Sequence, residues 1–160
     1  MYSAQHRTIF VHIPKCAGQS VETAFLTDLG LDWESRAPLL LRFNPDPALG
    51  PPRLAHLLAS DYVRRGHVDQ ATFDACFKFA IVRDPWSRAV SLYRHLHLNM
   101  PFTGFVKHWL PAQFARGDEF WFVRPQTDYL YENGRLLVDE IVRFERLADE
   151  FPAADARAGL

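Results

Sequence analysis

Three short apolar runs alternate with stretches of helical periodicity along the chain. Residues 8–13 (TIFVHI) and 77–82 (FKFAIV) are almost continuously apolar, and residues 140–144 (EIVRF) form a weaker run of the same kind. Such runs are typical of strands buried on both faces of a parallel sheet. Apolar positions recur three and four apart in residues 20–29, 54–65 and 85–98, which predicts helices there. This alternation predicts an α/β fold, P-loop-like and three-layered, with a central mostly parallel sheet flanked by helices.

Two stretches interrupt this periodicity. Residues 37–52 contain five prolines and one glycine, which predicts an irregular surface loop, and residues 100–104 are a second irregular region. A chain of 160 residues is long enough for one domain with a real core and short for two. We therefore expect a single domain over residues 1–160.

Charge and composition narrow the classes of partner. The formal net charge is −1, which gives no overall positive field for nucleic acid or an anionic membrane surface, so any anion site must be local. No apolar run approaches the roughly 18 residues of a membrane span. Cys16 and Cys76 provide no disulfide framework, and no cleavable leader is recognisable. We expect a cytoplasmic protein that binds no nucleic acid and spans no membrane, and the oligomeric state stays open.

The first strand runs into a candidate anion-binding loop, PKCAGQS. Backbone N–H groups at a helix N-terminus are unpaired, and the helix dipole favours anions there. Gly18 would let the backbone approach a ligand, Ser20 would cap the helix or donate its hydroxyl, and Lys15 would place a positive charge nearby. The spacing is not that of a Walker A loop, a dinucleotide fingerprint or a cysteine-phosphatase loop. A lysine-first phosphate loop is the remaining alternative.

The second strand ends in a further cationic turn, RDPWSRAVSLY. Arg83 follows the strand directly, Asp84 is a plausible N-cap, and Pro85 occupies the first helical position. Ser91 lies two turns into this helix and shares a face with Arg88. Because parallel strands end at the same edge of a sheet, Arg83 is expected near the first loop, and two separate anion sites suggest a ligand with phosphates at two ends.

Together the two motifs resemble those of the sulfotransferases that use 3′-phosphoadenosine 5′-phosphosulfate (PAPS), especially the carbohydrate and Golgi-type branch and its bacterial relatives. In that family a loop of the form HIPK-x-x-G-x-S binds the 5′-phosphosulfate, and here it reads HIPKCAGQS; the second motif, RDP-x-x-R-x-x-S-x-Y, binds the 3′-phosphate and reads RDPWSRAVSLY. The resemblance extends through RPQTDYL to the R-F-E-x-L segment at about Leu147. It implies that the 5′ end is held by Lys15, Cys16, Ala17, Gly18, Gln19 and Ser20, and the 3′-phosphate by Arg83 and Ser91.

The resemblance also implies a reaction. A sulfuryl group would pass from PAPS to a hydroxyl or amine acceptor, most plausibly of a carbohydrate, leaving adenosine 3′,5′-bisphosphate. Lys15 would stabilise charge on the leaving oxygen. His56, in a segment that looks like the family's histidine-bearing one, is predicted as general base, with His67 in reserve. His12, inside the first strand, is expected to be a packed core histidine.

Several secondary expectations accompany this interpretation. His95 and His97 point to different faces of a helix, and no metal site is predicted. Cys16 is expected to be packed and redox-passive, and Glu145 to anchor a loop through the backbone. The aromatic residues 120–122 would serve either as a sugar-stacking surface or as packing.

Two other functions remain open. One is a non-catalytic nucleotide-binding protein of the same fold, because relatives continue well beyond the R-F-E-x-L segment and this chain would be a minimal or truncated member. The other is a P-loop kinase, for which the sequence offers neither the Walker lysine nor an obvious magnesium carboxylate.

Overall fold

The fold is built on a small four-stranded sheet in which three strands run parallel. The computed structural model describes residues 1–116 and 121–160. Its strands are β1 Tyr2–Ser3, β2 Thr8–Val11, β3 Phe77–Val82, β4 Tyr131–Glu132, β5 Arg135–Leu136 and β6 Glu140–Arg143. The main sheet has the order β1-β2-β3-β6, and β4 and β5 form a separate hairpin. The predicted mostly parallel α/β sheet is confirmed.

Strand register places the two candidate anion-binding loops at one edge of this sheet. β2 pairs in parallel with β3, from Thr8 opposite Phe77 to Val11 opposite Ala80, and β3 pairs in parallel with β6. β1 is an antiparallel edge strand beside β2. The segments that follow β2, β3 and β6 therefore emerge side by side, which is where open α/β folds bind ligands.

Helices flank the sheet. They are α1 Gly18–Asp28, α2 Asp61–Arg64, α3 Gln70–Ala75, α4 Pro85–Leu96, α5 Phe102–Gly104, α6 Leu110–Phe114, α7 Gln126–Leu130 and α8 Leu147–Ala158. A π-helical turn, Phe105–Trp109, joins α5 to α6. The predicted helices at residues 20–29 and 85–98 correspond to α1 and α4. None of the helices in the described residues is long and apolar enough to cross a membrane.

The predicted helix at residues 54–65 is wrong. A 3-10 turn, Leu54–His56, ends at Leu57, whose backbone is extended (φ −61°, ψ 144°), and α2 starts only at Asp61. The N–H group of Ala59 donates to the carbonyl oxygen of Tyr129 at 2.8 Å instead of to the preceding turn. A tertiary hydrogen bond to the end of α7 thus replaces the local helical one, so His56 lies at the end of a 3-10 turn and does not open a helix.

Apolar residues of β2 and β3 form the centre of the core. Ile9, Phe10, Phe79 and Ile81 are at most 1% exposed, and Phe25 of α1 packs with them. Complete burial of these side chains explains the continuous apolar runs. A smaller cluster under α4 and the π-helical turn contains Leu92, Phe105 and Val123.

The proline-rich segment is irregular, as predicted, yet it is well anchored. It contains two 3-10 turns, Ala37–Leu39 and Pro47–Leu49. Asn44 is buried, and its Nδ2 donates to the carbonyl oxygens of Asp46, Gly50 and Pro51. Because a buried amide satisfies several backbone carbonyls at once, the loop has a defined shape despite its composition.

Candidate functional site

The loop after β2 has the backbone of an anion site. Lys15 (φ 68°) and Ala17 (φ 64°) both adopt left-handed conformations, which non-glycine residues rarely do. Ala17 is the N-cap of α1 and contributes no side-chain hydrogen bond, so the first N–H groups of this helix lack a side-chain cap. Ser20 lies inside the first turn and is not the N-cap. Left-handed residues next to open helical N–H groups form a concave cradle for an anion.

Gly18 is required here for steric reasons. A Cβ atom at this position would lie 2.0 Å from Nε2 and Cδ2 of His12, which is far inside van der Waals contact. Its φ is not in the left-handed region, so the constraint is the close approach of the His12 ring. The glycine of the motif therefore lets a histidine lie directly beneath the loop.

Arg83 leaves β3 toward the same loop. Its Nη1 donates to the carbonyl oxygen of Lys15 at 3.3 Å, and its guanidinium lies 4.1 Å from the ring centre of Phe144. Nε of Arg83 is buried and has no hydrogen-bond partner among the described residues. Burial, with a smaller contribution from Arg83, lowers the pKa of Lys15. Two cations held this close, one with an unsatisfied N–H group, indicate a site for an anionic ligand.

Gln126 of α7 fixes the end of β3. Its Oε1 accepts from the N–H of Arg83 at 2.9 Å, and its Nε2 donates to the carbonyl oxygen of Arg83 at 2.7 Å. The thiol of Cys16 donates to the same Oε1 at 3.4 Å. One amide thus connects the loop after β2 with the end of β3.

Glu145 holds the segment after β3, and Arg88 of α4 holds the loop after β2. The N–H of Asp84 donates to Oε1 of Glu145 at 2.8 Å, and Oδ1 of Asp84 caps α4 by accepting from Ser87. The predicted cap is confirmed, and Glu145 anchors the loop at a backbone N–H group as expected. Arg88 is half-buried and donates to the carbonyl oxygens of Pro14, Phe122 and Arg124. It therefore ties α4 to the loop that follows β2.

These segments enclose a cavity of about 470 Å³. Of the predicted site residues, the following line it: Lys15, Ala17, Gly18, Gln19, Ser20, His56, Arg83 and Ser91. A second cavity of about 340 Å³ adjoins it and shares Lys15, Arg83, Ser91 and His95, with Val90 and Arg94 completing its wall. The structure therefore brings both predicted motifs to one continuous space.

Cys16 is the predicted site residue whose side chain does not line either cavity. It is 1% exposed, and burial raises the pKa of its thiol to about 11. Such a thiol is protonated at neutral pH, in line with the expected packed and redox-passive role. Any contact of Cys16 with a ligand would have to come from its backbone.

His56 has the protonation state of a base. Its Nδ1 lies 2.9 Å from the carbonyl oxygen of His12, and because a carbonyl oxygen only accepts, Nδ1 carries the proton. Burial lowers the pKa of His56 well below 6.5, and the charge of His12 adds to the effect. The ring stacks on Trp121 at 4.8 Å. At neutral pH, Nε2 of His56 is therefore an unprotonated acceptor.

His12 is buried, as expected for a core histidine, yet it also belongs to the site. Its Nδ1 lies 2.5 Å from Oε1 of Glu22, and its ring centre is 4.3 Å from that of His56. Both His12 and Glu22 line the larger cavity. A carboxylate bonded to one ring nitrogen fixes the orientation of the imidazole.

The remaining candidates fall outside this arrangement or at its rim. His67, the reserve base, donates from Nε2 to the carbonyl oxygen of Leu49 at 2.7 Å and lines neither cavity. His95 stacks on Phe122 and lines both. Phe120 of the predicted aromatic surface lies outside the described residues. No cluster of metal-ligating side chains occurs in residues 1–116 and 121–160.

Sequence reasoning missed several residues of the site. Glu22 is one helical turn beyond Gly18 and follows an i, i+4 relationship that could have placed it beside the loop. Arg94 follows Ser91 by three positions on α4, a spacing that also predicts a shared face. Arg36, Arg42 and Arg53 line the larger cavity without any such signal, because they come from the irregular loop.

Comparison with known proteins identifies a family. The sequence description of the Sulfotransferase family matches residues 1–151. No curated protein and no solved structure gives a significant match.

Proposed function

Because the chain belongs to the sulfotransferase family, we propose that this enzyme transfers a sulfuryl group from PAPS to a hydroxyl or amine of a carbohydrate. The observation that carries the proposal is the pair of cations at one sheet edge, Lys15 and Arg83, with the buried Nε of Arg83 unsatisfied within the described residues. An anionic group bound there would satisfy that N–H group.

The residues fit a ligand with phosphates at both ends. Lys15, the left-handed loop and the N-terminus of α1 would hold the 5′-phosphosulfate, with Gln19 and Ser20 beside them. Ala17 and Cys16 would contribute backbone N–H groups. Arg83 and Ser91, at the wall shared by the two cavities, would hold the 3′-phosphate, and Arg94 adds a third cation.

Catalysis requires charge stabilisation and removal of a proton. When bound, PAPS supplies the sulfuryl group and leaves as adenosine 3′,5′-bisphosphate. The ammonium group of Lys15 would stabilise negative charge on the departing oxygen. Nε2 of His56 would accept the proton of the acceptor hydroxyl, and the hydrogen bond from Nδ1 to the carbonyl oxygen of His12 keeps the ring in the required tautomer. His12 and Glu22 would position His56 through ring contact.

Calorimetric titration with adenosine 3′,5′-bisphosphate tests this proposal. AMP and magnesium-ATP serve as matched ligands that lack the 3′-phosphate. We expect micromolar binding that depends on the 3′-phosphate, because Arg83 and Ser91 line the same wall and the buried Nε of Arg83 is unsatisfied within the described residues. Equal affinity for AMP would contradict the 3′-phosphate site, and preference for magnesium-ATP would favour a kinase.

A sulfate-transfer assay then separates catalysis from nucleotide binding alone. Release of adenosine 3′,5′-bisphosphate from PAPS that depends on an added saccharide supports the enzyme. Tight nucleotide binding without transfer to any acceptor would support the non-catalytic alternative. The cytoplasmic location stays a prediction.

A further inference from the structure

His95 lies where the two cavities meet and just beyond the end of the second motif. It is four residues after Ser91 on α4, and both residues line both cavities. In the second cavity they share the wall with three cations, Lys15, Arg83 and Arg94. An anion bound to these cations would therefore lie beside the imidazole of His95.

Ring stacking fixes the orientation of this imidazole. The ring lies nearly parallel to that of Phe122, with an interplanar angle of 11° and 5.6 Å between the ring centres. The carbonyl oxygen of Phe122 in turn accepts from Nη2 of Arg88 at 3.2 Å, which ties the stacking partner to α4. A side chain that is already oriented loses less rotamer entropy when a ligand binds.

The ring nitrogens of His95 are accessible to a ligand. His95 is exposed, and its ring forms no hydrogen bond or ion pair within the described residues. The two other histidines of the larger cavity differ, because Nδ1 of His12 is bonded to Glu22 and Nδ1 of His56 donates to the backbone of His12. A neutral imidazole has one N–H donor and an imidazolium has two. Protonation of His95 would therefore add both a donor and a positive charge to the wall of the second cavity.

The charged and titratable groups around His95 are basic. They are Lys15 in the loop after β2, Arg53 before the 3-10 turn, Arg83 at the end of β3, and Arg94 and His97 on and after α4. Among the described lining residues, the second cavity has no acidic one, and Glu22 of the larger cavity is bonded to His12. Partial burial lowers the pKa of His95, and the charges of Lys15, His97 and Arg53 act in the same direction. In the free protein this imidazole is therefore neutral at neutral pH.

A bound phosphate would reverse this balance of charge. A phosphomonoester carries about −1.5 to −2 elementary charges at pH 7. An opposite charge within about 4–6 Å favours the protonated form of a basic group, and the same phosphate would offset the charges of Lys15 and Arg83. Binding of a phosphate beside His95 would therefore raise the pKa of its imidazole back into the physiological range.

We propose that His95 is a proton-linked ligand of the 3′-phosphate, which takes up a proton as the nucleotide binds and donates a charge-assisted hydrogen bond to that phosphate. This inference rests on the proposed function and adds a binding residue to the same site. The proton comes from the solvent and returns to it when adenosine 3′,5′-bisphosphate leaves, and no covalent bond to carbon, phosphorus or sulfur changes. Because the bound state holds more protons than the free state, nucleotide affinity rises as pH falls from the pKa of the bound form toward that of the free form.

His56 and the nucleotide itself are the other possible sources of a proton linkage. His56 is also neutral in the free protein, but it lines only the larger cavity. A phosphate with a pKa of about 6 changes its own protonation on binding, and this contribution is the same for every variant of the protein. A comparison of variants therefore isolates the contribution of His95.

Calorimetry in two buffers of different ionisation enthalpy measures the proton uptake directly. Adenosine 3′,5′-bisphosphate is titrated into the full chain in Tris and in HEPES, between about pH 6.5 and about pH 8, where a histidine shifted by a ligand titrates. We expect net proton uptake and about 3–10-fold tighter binding at the lower pH, because one linked proton changes affinity by at most about tenfold per pH unit. AMP, which lacks the 3′-phosphate, should show no such linkage.

Variants assign the linkage to this residue. His95→Gln keeps a polar side chain that cannot gain a proton, so it should lose the uptake and the tighter binding at low pH. His95→Arg supplies a permanent planar cation that can stack on Phe122, and it should bind tightly over the whole range without proton uptake. His108→Gln makes the same change on the π-helical turn, outside both cavities, and should match the wild type. Thermal melting checks that each variant is folded.

The outcomes separate this proposal from its rivals. Nucleotide binding without proton uptake in the wild type, undiminished uptake in His95→Gln, or an equal linkage with AMP would overturn the role of His95 and leave the proposed function standing. Loss of uptake in His56→Gln but not in His95→Gln would assign the linkage to the proposed base. Failure of the wild type to bind adenosine 3′,5′-bisphosphate at any pH would count against the proposed function itself, and the role of His95 would fall with it.

Discussion

Nδ1 of His12 lies 2.5 Å from Oε1 of Glu22, and this buried pair lies at the junction of the loop after β2 and the proposed base. The ring of His12 lies close to Gly18, and its centre is 4.3 Å from that of His56. Any change in its tilt therefore reaches both segments, and the pair gives a direct way to test the site.

Glu22→Gln preserves a hydrogen-bond acceptor for His12 but removes the negative charge. We expect kcat to fall about tenfold, equivalent to about 1.4 kcal/mol, because His12 loses the charge that orients it under His56. Nucleotide affinity should stay near that of the wild type. Steady-state kinetics measure kcat, and calorimetry measures nucleotide affinity. A change in melting temperature with an unaltered kcat would mean that the pair contributes to packing alone.

Gly18→Ala introduces a Cβ that would lie 2.0 Å from the His12 ring. We expect it to destabilise the protein by about 1–3 kcal/mol and to weaken binding of adenosine 3′,5′-bisphosphate, because the loop or the ring must move. Urea unfolding of Gly18→Ala, His12→Ala and the double variant forms a thermodynamic cycle. The double variant should recover part of the loss, and strict additivity would contradict the steric explanation.

His56→Ala removes the proposed base. Turnover should fall by about 10²–10⁴-fold with little change in nucleotide affinity. In the wild type, burial lowers the pKa of His56 well below 6.5, so the base is neutral and active at and above that pH and is lost only as pH falls through the lowered pKa. We expect kcat to stay level through pH 6.5 and to decline only well below it, as the pH approaches the lowered pKa of His56. A wild-type rate in the variant would transfer the role to another group.

Arg83→Ala tests the 3′-phosphate site. A hydrogen bond to a charged group contributes about 1.5–3 kcal/mol, so affinity for adenosine 3′,5′-bisphosphate should fall at least tenfold. Affinity for AMP should change much less, because AMP has no 3′-phosphate. Calorimetry with the two ligands compares these losses, and equal ones would refute the assignment.

Lys15→Ala removes the proposed charge-stabilising group. Alanine, like lysine, has a Cβ, so the strain of the left-handed backbone conformation at this position is unchanged. We expect the transfer rate to fall by about 10²–10³-fold. Single-turnover measurement at saturating PAPS separates this from weaker binding. A wild-type single-turnover rate would exclude Lys15 from the chemical step.

Much of the fold followed from local pattern. The runs that became β2 and β3 were recognisable because strands buried on both faces are continuously apolar, and α4 because Asp84 and Pro85 mark its start. The helix expected at residues 54–65 failed because a hydrogen bond between Ala59 and Tyr129, 70 residues apart, outweighed local periodicity. The β4–β5 hairpin and α8 were not predicted.

The sequence by itself determined the strand-loop-helix junctions that hold Lys15, Gly18 and Arg83, since strand ends, glycine and helix starts are properties of short segments. Only the tertiary structure decided the partners of those residues. The pairing of His12 with Glu22, the clamp of Gln126 on Arg83 and the convergence of the arginines on one cavity depend on side chains brought together by sheet order and by the shape of a proline-rich loop. No local pattern encodes these contacts, because each joins segments whose relative position is set by packing of the whole core.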